Sequence, residues 1–301
     1  MPIRMSRHGR ARRLNDEGMA LRDAGRDAEA IARYREAVRM DPDWAAPWYN
    51  IGLVHKYRCE WADSLAANRE ALRRAPRDEA AIWNLGIAAT ALADWSAARD
   101  AWRRYGIRVP QCEGPVELFI GLTPIRVAND GHPEVVWADR IDPARAVIRS
   151  VPLPESGRRY GDLVLHDGAP NGYRRLRGRE VAVFDELQVL QSSPHGTFEA
   201  RVHSASQEDV QAFDVLGDAA DVHVENWSAN VQVLCKACSE GRPFAEGGHD
   251  HPPARDAGEG MRLGVAARDE AQARAVLTAW ARERRLELGA LDCLLPPAAI
   301  H

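Results

Sequence analysis

The sequence predicts an α-helical solenoid of three helix pairs followed by an α+β region, and three observations carry that expectation. Prolines recur every 34 residues at Pro42, Pro76 and Pro110, with glycines at the same spacing at Gly18, Gly52 and Gly86. From Gly114 onward the helical period gives way to short β-branched runs bounded by Gly, Pro, Asp and Asn. After His195, strand-like and helix-like segments alternate in the order βαββαβ. A chain of 301 residues has room for two or three such units.

Each 34-residue unit reads as two antiparallel helices, expected at 12–25 and 28–40, 46–58 and 62–74, and 80–92 and 96–107. Twelve places before each proline stands a small residue, Ala30, Ser64 or Ala98, where two helices can cross closely. The proline ends the second helix. Residues 11–110 thereby resemble the tetratricopeptide repeat (TPR) family, whose units stack because no pair buries its apolar stripe alone. Departures from the pattern are Glu17 at an apolar place, Cys59 at a turn glycine, Asn68 at an aromatic place and Tyr105 at a small one.

The resemblance implies a solenoid that binds a protein or peptide in the groove of its first helices. By repeat position that groove presents Asn15, Arg22, Tyr49, Asn50, Leu53, Lys56, Trp83, Asn84, Ile87 and Thr90. Asn50 and Asn84 each offer a donor and an acceptor to a peptide backbone. Met19, Ala80 and Asn84 stand where relatives that clamp a terminal carboxylate carry clamp residues, which argues against that mode here. The alternative for Tyr49 and Trp83 is packing between repeats. Trp48, Trp61, Trp95 and Trp102 fall at core places.

Residues 1–10 are expected to be a basic, solvated tail ahead of the array at 11–112. Residues 114–195 should form a small bent sheet or barrel, with strands at 116–122, 134–141, 145–151, 162–166 and 179–190. Residues 196–301 should form a ferredoxin-like unit. Its strands are read at 196–204, 222–234, 261–267 and 286–295, and its helices from Ser206 to about Leu216 and over 269–285.

One constellation carries chemistry. In LCKACSEGRPFAEGGHDH, Cys235 and Cys238 form C-x2-C, and His249 and His251 follow as H-x-H. Two thiolates and two imidazoles in a loop at 235–251 suit tetrahedral structural zinc, with every position on the ion filled. A redox pair, an unliganded loop, and a catalytic zinc with Asp250 or Glu246 as base stay open as alternatives. His166, His195, His203 and His223 read as surface or structural histidines, and Glu225 and Trp227 as packing or outer support.

Composition bounds the function classes. The chain is 45% hydrophobic and 28% charged, with 40 basic against 44 acidic residues and a net charge of −4. That balance offers no general attraction to nucleic acid or to a membrane surface. The basic start MPIRMSRHGRARR has no apolar stretch behind it, so no secretory signal or membrane span is expected. Five scattered cysteines suggest free thiols in a reducing cytoplasm. Only Lys56 and Lys236 are lysines, an arginine bias of bacterial-like, GC-rich coding. Common catalytic motifs are absent. These features point to a non-enzymatic adaptor that holds a protein or peptide in its repeats; the alternative is an enzymatic or small-ligand C-terminal unit recruited by the array.

Overall fold

A computed structural model describes residues 6–127, 133–228 and 260–298. It divides into two compact units, one ending at Leu118 and one starting at Phe119. The first unit holds six helices: α1 (Arg7–Asp23), α2 (Asp27–Met40), α3 (Ala46–Tyr57), α4 (Trp61–Arg74), α5 (Glu79–Ala91) and α6 (Trp95–Tyr105). The expected tail is shorter than 1–10, because α1 already begins at Arg7. Ser6 caps that helix by accepting the Gly9 N–H at 3.0 Å. His8 then packs edge-on to Trp44 and sets Nδ1 2.6 Å from the Asp41 carboxylate.

The 34-residue period has a packing cause. A Cβ on Gly18 would lie 2.5 Å from the Tyr34 ring, and one on Gly86 would lie 2.4 Å from Trp102. Glycine therefore lets the second helix of each pair lay its ring on the first. In the middle repeat Asn68 takes the ring's place. Its Nδ2 donates to the Ser64 carbonyl at 2.8 Å, and Ser64 Oγ donates to the Gly52 carbonyl at 2.9 Å. Ala30, Ser64 and Ala98 are buried at the crossings as expected from their size. Between paired helices the chain turns through a left-handed residue, Gly25, Cys59 or Ala93. Cys59 adopts a conformation that glycine reaches at lower cost.

The second unit begins with a closed barrel in the order β1-β2-β3-β4-β5. Its strands are β1 (Gly121–Val127), β2 (Glu134–Arg140), β3 (Arg145–Ile148), β4 (Leu163–Leu176) and β5 (Arg179–Gln191). Neighbours run antiparallel, and β1 closes the ring by pairing parallel to β5. Two expectations are corrected here. The first strand was expected over 116–122 but forms five residues later, because pairing Val127 with Glu134 and Gly121 with Arg140 puts Ile125 and Val127 inside. Phe119 and Ile120 are left exposed. The stretch DGAPNG (167–172), which falls between the strands expected at 162–166 and 179–190, lies within β4, where register shifts between His166 and Tyr173 absorb its Gly and Pro residues.

The chain continues through β6 (Gly196–His203), α7 (Gln207–Ala220), β7 (His223–Asn226), β8 (Met261–Ala267), α8 (Glu270–Arg284) and β9 (Glu287–Leu295). These strands form one antiparallel sheet in the order β7-β8-β6-β9. Ser206 and Asp209 make a capping box that starts α7. Phe213 of α7 and Trp280 of α8 meet edge-on at 5.4 Å over Phe198, Val265 and Leu277. The strand expected over 222–234 is described only as His223–Asn226, and 229–234 lie outside the described residues. Among the described residues no helix is long and apolar enough to cross a membrane.

Barrel and sheet share a seam. Val151, Tyr160, Trp227 and Ala266 form a buried apolar cluster there. Trp227 lies against Gly264, where a Cβ would stand 2.1 Å from the indole, and its Nε1–H donates to the Val151 carbonyl at 3.0 Å. Two carboxylates receive the next backbone donors: Glu225 accepts Val151 N–H at 2.7 Å and Glu134 accepts Leu153 N–H at 3.0 Å. Glu134 is buried, and its Oε1 has no hydrogen-bond partner among the described residues. Burial, with the nearby Glu225 charge adding to it, pushes the Glu134 carboxyl up to about 8.

Two outcomes follow from this packing. Gly86→Ala should destabilise the repeat unit by about 1–3 kcal/mol through overpacking against Trp102, read as a lower urea midpoint. Glu134 holds its proton in the folded chain up to about 8 but releases it near 4.5 when unfolded. The folded state thus binds the extra proton, so stability should fall as pH rises between those values and then level off. The loss should be on the order of 1–4 kcal/mol, and urea midpoints of Glu134→Gln should lose this slope.

Candidate functional site

The expected groove residues lie on helices α1, α3 and α5. Asn50 Nδ2 donates to Asn15 Oδ1 at 2.8 Å, joining the first and second repeats through a buried amide pair. Asn15 Nδ2 in turn points at Met19 Sδ, 3.6 Å away. Asn84 is only 4% exposed, Ile87 is buried, and Thr90 Oγ1 donates to the Gly86 carbonyl at 2.8 Å. Lys56 is also buried, with Nζ 4.5 Å from the Tyr57 ring centre. Trp83 stands edge-on to Trp102 and Tyr105 at 5.1 and 4.6 Å. Tyr49 and Leu53 are half-buried, while Met19 is 40% exposed. Of this set, Asn15, Asn50, Lys56, Asn84, Ile87 and Thr90 are therefore buried, while Tyr49, Leu53 and Trp83 stay partly open.

Cys235, Cys238, His249 and His251 lie outside the described residues. The two ends of the segment that carries them are held together. Asn226 pairs with Leu263, and Arg262 N–H donates to Ser228 Oγ at 2.8 Å. Chain leaving β7 and chain returning to β8 are thus neighbours.

A second group of chemically competent side chains sits on the seam between barrel and sheet. The sequence alone presents its histidines as surface or structural residues; the fold brings two of them to one carboxylate. His195 comes from the connection between β5 and β6, Asp221 caps the C-terminus of α7, and His223 opens β7. His195 Nε2 is 3.1 Å from Asp221 Oδ1 and 3.3 Å from the Asp221 carbonyl oxygen. His223 Nε2 is 3.6 Å from the same Oδ1. Arg268 donates to Asp221 Oδ2 at 2.8 Å. Despite partial burial, the Asp221 carboxyl stays below its ordinary range because Arg268 and His195 favour its charge. Burial, and next the charge of His195, pushes His223 down. Tyr160 stacks on the His223 ring at 3.9 Å and 17°, and burial raises its phenol. No short-range motif announces the whole group, because β6 and α7 separate His195 from Asp221 and His223.

Among the described residues, His195, Asp221 and His223 form one set that could hold a metal ion, and His55, Glu60 and Asp63 form the other. In the latter, His55 Nδ1 already contacts Glu60 at 2.5 Å, and Glu60 also accepts from Arg58 at 2.9 Å. Asp63 faces solvent, and the Glu60 carboxylate is engaged by Arg58.

A model of the TPR repeat matches residues 18–56. No curated protein matches the chain significantly. Among solved structures, similarity is found to the second TPR of Spaghetti (RPAP3) bound to the HSP90 peptide SRMEEVD. That match has 17% identity, covers 33% of this chain and 91% of that one, and has a TM-score of 0.32. The Arabidopsis OM64 TPR domain matches at 16% identity over 33% of this chain and 83% of its own, TM-score 0.32. The TPR2B-domain:pHsp70 complex of yeast Sti1 matches at 17% identity over 32% of this chain and 77% of its own, TM-score 0.31. The N-terminal unit of this chain contains a tetratricopeptide-repeat segment.

Proposed function

We propose that the chain is a cytoplasmic adaptor that binds a protein or peptide segment along α1, α3 and α5. The observation that supports this most directly is that Tyr49 and Leu53 of α3 are only half-buried and Met19 of α1 is 40% exposed, while Asn50 and Asn84 are buried. An extended segment would lay side chains on these exposed apolar groups and reach Asn50 or Asn84 with its backbone, where a small adjustment frees an amide donor or acceptor. Three glycine-seated helix pairs keep those helices in a fixed relation, which limits the ordering cost of binding.

The C-terminal unit reads as a ferredoxin-like domain stabilised by structural zinc on Cys235, Cys238, His249 and His251. Support comes from the donor set and from the adjacent ends of the segment at Ser228 and Arg262. A small-ligand or enzymatic role for this unit is the second reading, and the convergence of His195 and His223 on Asp221 favours it.

Peptides enriched from a displayed library on the full chain should bind about ten-fold more weakly to Tyr49→Ala/Asn84→Ala, a difference near 1.4 kcal/mol, with an unchanged helical spectrum. Unchanged affinity, or no enrichment, removes the groove reading. Protein purified without added metal should lose about one zinc per chain in Cys235→Ser relative to the parent. An equal zinc content would exclude the cysteine loop as a zinc site.

A further inference from the structure

His195, Asp221 and His223 reach one point from three separate elements, and their ligand atoms all lie within 4.8 Å of one another. Asp221 Oδ1 is the common neighbour, at 3.1 Å from His195 Nε2 and 3.6 Å from His223 Nε2. A tetrahedral ion bound at about 2.0–2.1 Å holds adjacent ligand atoms about 3.3–3.4 Å apart, so these separations bracket what such an ion needs.

The groups behind the three side chains are those that orient metal ligands. His195 Nδ1 is 2.9 Å from Ser193 Oγ, and Ser193 is fixed by its own N–H donating to Asp162 at 2.7 Å. His223 Nδ1 is 3.7 Å from Asp218, and its ring is clamped flat by Tyr160. Asp221 Oδ2 is taken by Arg268, which leaves Oδ1 facing the imidazoles. Such outer partners set the tautomer and ring direction of a ligating histidine and the free oxygen of a ligating carboxylate. Asp221 is also held in the left-handed conformation, φ 55°, as the C-cap of α7. That cap turns its carboxylate back toward the histidines.

We propose that His195, Asp221 and His223 form a divalent-metal site of the two-imidazole, one-carboxylate type on the seam between barrel and sheet. Zinc is the ion these borderline donors suit. Three protein ligands leave a further position for water or for a ligand atom. The site shares no residue with the cysteine segment.

The test uses the full chain carrying Cys235→Ser and Cys238→Ser, with cobalt(II) as the probe and zinc as competitor. One cobalt ion per chain should bind with weak visible bands, without the intense near-ultraviolet absorption of a thiolate complex, and zinc should displace it. Adding Asp221→Asn should weaken cobalt binding by about ten- to a hundred-fold, since asparagine keeps the left-handed cap and removes the anionic ligand. His223→Gln should do the same, and circular dichroism reports whether each chain is folded. If His223→Gln unfolds the chain, Asp221→Asn decides alone. Absence of cobalt binding in the cysteine-free chain overturns the proposal, and so does binding unchanged by Asp221→Asn. Either result leaves the cysteine zinc site untouched, because that site is read from the parent chain's zinc content.

Discussion

An aromatic ring seated on a glycine is the contact on which both units depend. In the repeats it joins the two helices of a pair, Tyr34 over Gly18 and Trp102 over Gly86. In the second unit it seats Trp227 on Gly264 of the sheet, from where the indole reaches Val151 on the barrel side. Each contact brings a large apolar face to backbone with no side chain between, which buries area densely and fixes one geometry rather than a family of them. The middle repeat shows what happens without the ring. Asn68 and Ser64 rebuild the same close approach from hydrogen bonds to backbone, a solution that specifies direction but brings less apolar area.

The seam between barrel and sheet extends this logic to polar groups. Trp227 can lie flat only because its indole N–H finds the Val151 carbonyl. The neighbouring N–H groups of Val151 and Leu153 are answered by Glu225 and Glu134. Burying two carboxylates side by side is expensive unless one is neutral. The raised Glu134 carboxyl is the consequence: a protonated acid accepts the Leu153 N–H and places no second charge beside Glu225. At the same seam, a chain turn at Asp221 and a strand start at His223 are set down facing His195. The architecture that joins the two layers therefore also assembles the only seam cluster of metal-ligand side chains among the described residues.

The repeat face combines rigidity with a partly open surface. Amide pairing between Asn50 and Asn15 links neighbouring repeats, while Trp83 braces the third repeat from within against Trp102 and Tyr105. Residues of the same repeat position thus divide their roles: Asn15 joins the first repeat to the second, Trp83 packs inside the third, and Tyr49 stays half-buried. Repeat position alone assigns all three to one groove, whereas their neighbours decide which remain on its surface.

Much of the fold was legible in the residues because it is written in local periods. A 34-residue spacing of Gly and Pro predicts helix pairs within a few residues, since each pair is closed by contacts inside its own repeat. The order of the described elements β6, α7, β7, β8, α8 and β9 was legible through alternation and the Ser206 capping signature. What tertiary structure alone decided is register and convergence. The first barrel strand formed at Gly121–Val127 rather than 116–122, because its partner β2 chose which residues face inward. DGAPNG became part of β4 because a long strand pair with β5 carried it through as bulges. His195, Asp221 and His223 meet only after α7 has folded back on its sheet and the sheet has packed on the barrel. Side-chain chemistry was present in the sequence, but the distances between those atoms belong to the packing of layers.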